Sequence, residues 1–207
     1  MKSLIALAIL LIASYAECQQ KTATTWPVTW SAPFSEVINF PVRGKMTVNG
    51  QWYYDYTNKM FRVDRSNGNY DRYCGTIYKF ANTPCSQIVR DGNRYMYFPE
   101  KNFCCNCCND AKGCGVVKPE FVKMGEYQGV DKTMTPNGVK YLVKGLQSNY
   151  YYETLEGKPL RFYQEPLSDM TWDHSGYNEA TIDSKVFDLP ANGCDRSCGW
   201  VSICSAL

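Results

Sequence analysis

The chain holds only one histidine, His174, in 207 residues. That scarcity leaves little material for imidazole metal sites or acid–base relays. No G-x-S-x-G elbow, H-E-x-x-H helix or papain-type cysteine signature occurs. Net charge is only +2, with acids and bases interspersed. Nucleic acid or an anionic membrane calls for a basic stripe, and none is visible. There is no N-x-[ST] acceptor, so N-glycosylation is not expected. Repeats, heptads and low-complexity runs are missing too. Beyond the first residues, no apolar run is long enough to span a bilayer as a helix.

The chain starts "MKSLIALAILLIASYAEC". Lys2 precedes an apolar run from Leu4 to Ala13, and small residues follow at Ser14, Ala16 and Cys18. This is the pattern of a secretory signal peptide. Residues 1–18 are expected to be cleaved, with an alternative cut after Ala16. Residues 19–207 would then form a single secreted, extracellular domain, since a second core is hard to fit into that length. The cut after Cys18 leaves ten cysteines, an even number that suits full pairing. The other cut leaves eleven and a spare thiol.

"NFCCNCCNDAKGCG" crowds Cys104, Cys105, Cys107, Cys108 and Cys114 together. Its C-x-x-C spacings invite a zinc reading, as do Cys194 and Cys198. The secretory route favours disulfides instead, because thiols there oxidise. A thioredoxin-type redox site needs a strand-to-helix setting that is not in evidence. Adjacent cysteines are poorly placed to bond each other, so their sulfurs go to different partners. Sequence does not fix the connectivity. The expectation is that Cys74 and Cys85 close a hairpin-like loop, and that Cys194, Cys198 and Cys204 reach back to the cluster.

Strand signals dominate. In "QWYYDYTNKMFRVDRSNG", Trp52–Tyr56 reads as an aromatic strand, residues 57–59 as a turn, and Met60–Asp64 as the return. "CGTIYKF" and "NRYMYFP" read as two more strands, and the cysteine cluster as loop. Asp91-Gly92, Asn137-Gly138 and Glu156-Gly157 supply turns between further strands. Only "PEFVKMGEY" suggests a helical turn or two. The fold class is therefore all-β and mainly antiparallel: a sandwich or open barrel with at most one or two short helices.

Catalytic constellations are weak. Asp173 and Ser175 flank His174, but neighbours in a strand point to opposite faces, and "DHSG" reads better as a turn. Glu153 with Glu156, or Asp169 with Asp173, could serve a glycosidase; ordinary surface carboxylates are the simpler reading. "VDRSNGNYD" offers Asp64, Asn67, Asn69 and Asp71 as candidate calcium ligands, again against an ordinary turn. No other cofactor is indicated. The 16 tyrosines are the strongest hint of a binding surface.

The order of these segments resembles ependymin-related proteins, a secreted family of the LolA-like superfamily. The matching residues are Tyr54, Asp55, Arg62, Val63, Tyr95, Cys104 or Cys105, Phe187, Pro190 and Cys194, covering roughly residues 44–194. The doubled "CCNCC" and the tail "GCDRSCGWVSIC" depart from that pattern. The resemblance implies a curved sheet or half-open barrel with an apolar cavity for lipid or another hydrophobic molecule. On that form the wall candidates are Tyr54, Tyr56, Phe61, Val63, Tyr95, Tyr97, Tyr141, Tyr151, Phe162 and Trp172. Relatives are also linked to extracellular calcium and matrix.

Two functions follow as expectations. One is a non-enzymatic secreted protein binding an apolar ligand. The other is a structural subunit of a matrix, coat or filament, self-assembled or joined to an extracellular partner through tyrosine-rich surfaces.

Overall fold

The computed structural model describes residues 23–40, 44–69, 71–144, 149–199 and 202–205. The expected leader and Cys18 lie outside them. Eleven antiparallel strands form one curved, open sheet in the order β6-β5-β4-β3-β2-β1-β11-β10-β9-β8-β7. Two meanders, β1–β6 and β7–β11, are joined where β1 pairs β11.

The first meander comprises β1 (Thr29–Phe40), β2 (Gly44–Asp55), β3 (Met60–Arg65), β4 (Cys85–Arg90), β5 (Asn93–Phe98) and β6 (Phe103–Asn109). The second comprises β7 (Glu126–Asp131), β8 (Gly138–Val143), β9 (Asn149–Glu153), β10 (Pro159–Gln164) and β11 (Ser168–Trp172). Local chemistry sets the turns. Asp55 accepts from the Asn58 backbone N–H at 3.0 Å and from its side chain at 2.7 Å, closing β2 onto β3. Asp91 and Gly92 both have positive φ, 51° and 71°, as a two-residue hairpin turn requires.

Strand β1 was not singled out in the sequence, and Pro33 explains why. Proline is usually kept from central strands because it cannot donate to the ladder. Here it sits just past the last β1–β11 pair, Phe34 with Trp172. Beyond it Ser31 bonds Asn178 in both directions, at 2.8 and 2.9 Å.

Two segments differ from the sequence reading. "CGTI" is a short helix, α1 (Cys74–Ile77), not a strand. The Asp71 carboxylate draws in the backbone N–H groups of Tyr73 and Cys74 at 2.9 and 2.8 Å, which starts the helical turn. The cysteine cluster is the edge strand β6, not a loop. Its cysteines bond in pairs Cys104–Cys194, Cys105–Cys198, Cys107–Cys204 and Cys108–Cys114, while Cys74 bonds Cys85. Alternation along the strand sends adjacent sulfurs to opposite faces, and the tail runs between them. The Asn106 N–H donates to the Arg196 carbonyl at 2.8 Å, and the Cys198 N–H donates to the Asn106 carbonyl at 3.1 Å. The tail thus covers a sheet edge that would otherwise present unpaired backbone groups.

Candidate ligand cavity

Register decides which side chains face the concavity. Across the centre run Trp30, Tyr54 and Phe61 in one row, and Ala32, Trp52 and Val63 in the next. A third row holds Phe34, Gly50 and Arg65. Gly50 is required there: a Cβ would come within 2.0 Å of the Asp64 carbonyl and 2.4 Å of the Phe34 ring. Its absence lets Phe34 lie against β2, and the Arg65 guanidinium sits 5.7 Å from that ring's centre.

One end of the concave face is filled. Trp26, just before β1, meets Trp30, Tyr54, Phe121 and Trp172 edge to face at 4.7–5.9 Å. Its indole N–H donates to the Tyr151 hydroxyl at 2.6 Å. The Tyr54 hydroxyl donates to the Val117 carbonyl at 2.8 Å. Burial raises the Tyr54, Tyr141 and Tyr151 pKa values, holding the phenols neutral. Nearby groups act in the same direction: Tyr56 at Tyr54, and Glu153 at Tyr141 and Tyr151.

The other end is open inside. A cavity of about 600 Å³ lies between the sheet and a roof formed by Asn69, residues 71–73, Gly75, Thr76, Val117 and Ile203. Its floor includes Ile38, Trp52, Phe61, Val63, Phe162 and Met170. A second space of about 130 Å³ adjoins it at Trp52, Phe61, Arg94, Val117 and Phe162. Disulfides hold the roof: Cys74–Cys85 ties α1 to β4, and Cys107–Cys204 places Ile203. The Ile203 N–H also donates to the Thr76 hydroxyl at 3.2 Å.

The predicted wall residues separate into three groups. Phe61, Val63 and Phe162 line the larger space, and Tyr54 and Trp172 the smaller. Tyr56, Tyr141 and Tyr151 pack into the filled end. Tyr95 and Tyr97 lie on the opposite face, because Arg94 and Met96 are the β5 residues in register with inward-facing Val89 and Gln87. Alternation gave the two sets but not which one faces in.

An uncharacterized conserved protein from Thermus thermophilus is similar, with a TM-score of 0.54 at 10% identity, covering 83% of this chain and 91% of that one. The shared feature is the fold. A LolA superfamily protein from Nitrosomonas europaea aligns with a TM-score of 0.40 at 7% identity over 79% and 91% of the two chains. A DUF1329 family protein from Desulfovibrio piger aligns at 0.36 and 10% identity over 78% and 90%. No protein-family model and no curated protein matches the sequence.

Sequence reasoning missed the charges inside. Glu36 follows Phe34 and precedes Ile38 on the inward face of β1, and Arg65 follows Phe61 and Val63 on β3. The two are paired at 2.9 Å, and Asp71 lies 3.5 Å from Arg65. Burial alone would lower the Arg65 pKa; Asp71 and Glu36 outweigh it and raise the value. A charged residue inside an otherwise apolar alternation was the available signal.

The calcium candidates are drawn elsewhere. Asp64 pairs with Arg62 at 2.7 Å, Asp71 serves Arg65 and α1, and the Asn67 and Asn69 amides both donate to Asn82. Among the described residues no three His, Cys, Asp or Glu side chains converge. His174 Nε2 is 2.9 Å from the Pro159 carbonyl, while Asp173 accepts from the Ser175 backbone N–H at 2.8 Å. Glu153 is fully buried and accepts from Tyr141 and Thr24. No helix among the described residues is long and apolar enough to cross a membrane.

Proposed function

We propose that this chain is a secreted, non-enzymatic binding protein that holds a lipid or other hydrophobic molecule in the concave cavity. The carrying observation is the space itself, about 600 Å³ and floored mainly by apolar side chains. That volume falls within the range of small-molecule pockets, roughly 300–1,000 Å³. Well-packed interiors hold few voids larger than a water molecule. Five disulfides among the described residues favour an oxidising, extracellular setting.

Kinship with ependymin-related proteins belongs to the same reading. The residues that carry it form the framework: the Arg62 guanidinium donates to the Val186 carbonyl at 2.7 Å, Phe187 is fully buried, and Cys104 bonds Cys194. Native mass spectrometry of gently purified, secreted material tests the function. A bound mass that organic extraction removes supports it. Only the bare chain mass, together with no uptake of added lipid, contradicts it.

A second reading rests on the outer face. Tyr150 and Tyr163 stack at 6.1 Å, with Lys140 4.0 Å above Tyr150. Such a tyrosine–cation surface suits assembly with another extracellular protein or a second copy. Size-exclusion chromatography at rising concentration discriminates: a strict monomer counts against assembly.

A further inference from the structure

The cavity is apolar in area but not neutral. Its lining includes three guanidiniums, Arg65, Arg72 and Arg94, and two carboxylates, Glu36 and Asp71. The lining therefore carries one uncompensated positive charge. Glu36 and Asp71 both serve Arg65. Arg94, half-buried on β5, pairs with no carboxylate among the described residues. Its Nε donates to the Cys114 carbonyl at 3.3 Å, and its guanidinium lies 5.1 Å from the Tyr73 ring centre. It lines both spaces, at the point where they meet.

A second observation points the same way. Arg65 is only 7% exposed, yet its Nη1 has no hydrogen-bond partner among the described residues. A buried donor without an acceptor is destabilising, and more so when charged. Among the described residues, the other unpartnered atoms lining these spaces are the Trp52 and Trp172 indole nitrogens and the Asn39 and Asn69 amide oxygens. They are uncharged and do not set the sign. Burial also lowers the Arg94 pKa; Arg72 and Arg65 act the same way, against Tyr73 and Asp71. The guanidinium stays protonated at neutral pH regardless, so an anion beside it relieves the strain of an unpaired charge.

Resting on the binding reading above, we infer that the ligand is an anionic amphiphile: one apolar chain bearing a carboxylate or phosphate head. The head sits at Arg94, within reach of the free Arg65 donor, and the chain lies over Trp52, Phe61 and Phe162. A guanidinium suits either head, because its planar donor fork takes both oxygens of a carboxylate or phosphate. An alcohol or ester of the same chain would leave the positive charge unanswered.

Calorimetric titration of the full secreted chain tests this with dodecanoic acid, dodecyl phosphate, dodecanol, acetate and inorganic phosphate. The two acidic amphiphiles are expected to bind at least about tenfold more tightly than dodecanol. Arg94→Gln is expected to bring the affinity for the two acidic amphiphiles down to that variant's own affinity for dodecanol, and Arg94→Lys to restore part of the preference. Near-ultraviolet circular dichroism checks folding, and the wild-type series stands alone if a variant misfolds. Equal binding of acid and alcohol by the wild type, or a preference that survives in Arg94→Gln, overturns the anionic head but leaves the apolar cavity standing. Tight binding of acetate or phosphate alone overturns the amphiphile. If no dodecyl compound binds, the cavity reading falls, and this inference with it.

Discussion

Glu36 and Arg65 are the charges most firmly built into the concave face, each with its side chain 7% exposed. Glu36→Gln removes the shorter of the two carboxylate contacts and leaves Arg65 with Asp71 alone. It is expected to lower unfolding stability by about 1.5–3 kcal/mol, read from urea melts; an unchanged midpoint would refute the pairing. Gly50→Val forces a side chain onto the Asp64 carbonyl and the Phe34 ring, and overpacking of that kind costs roughly 1–3 kcal/mol. The buried tyrosines set the alkaline limit. Their folded pKa values lie above the unfolded value of about 10, so the folded state holds those protons more tightly. Stability is then flat up to roughly pH 10 and falls above it, as the unfolded chain ionises first. Phenolate absorbance against pH should show late-titrating tyrosines whose ionisation coincides with unfolding.

At the scale of elements, the tail governs the β6 edge and the roof. The Cys105–Cys198 bond spans 93 residues. Replacing both cysteines with serine is expected to cost about 2–4 kcal/mol and to promote association through the uncovered edge. Thermal melts and light scattering would register both effects, and a variant as stable and as monomeric as the wild type would contradict this role.

Much of this level was legible in the sequence. The aromatic hairpin from Trp52 and the Asp91-Gly92 turn follow from alternation and turn chemistry; cysteine parity implied full pairing, and tail-to-cluster bonding was an expectation without individual partners. The helix α1 was not, because its start depends on Asp71 reaching the backbone. Nor was β6, whose cysteines and asparagines carry no strand signature. The side of β5 that faces inward depends on register with β4, so Tyr95 and Tyr97 looked equivalent to Tyr54 until the sheet was assembled.

On the scale of the whole molecule, the two ends of one concave face are treated differently. Trp26 and its aromatic neighbours close one end as ordinary core, while the roof over the other end leaves a cavity. That roof is stapled to the sheet, so it holds the space open at the expense of packing. The central claim is that this space takes an apolar guest. The most direct measurement is fluorescence titration with the uncharged probe N-phenyl-1-naphthylamine, comparing the wild type with Ser168→Trp. Ser168 lines the cavity on β11, and an indole there would occupy it. Saturable, blue-shifted binding at one site in the wild type, lost in a Ser168→Trp protein that melts normally, is the expected result. Equal binding by both proteins, or by neither, would contradict it.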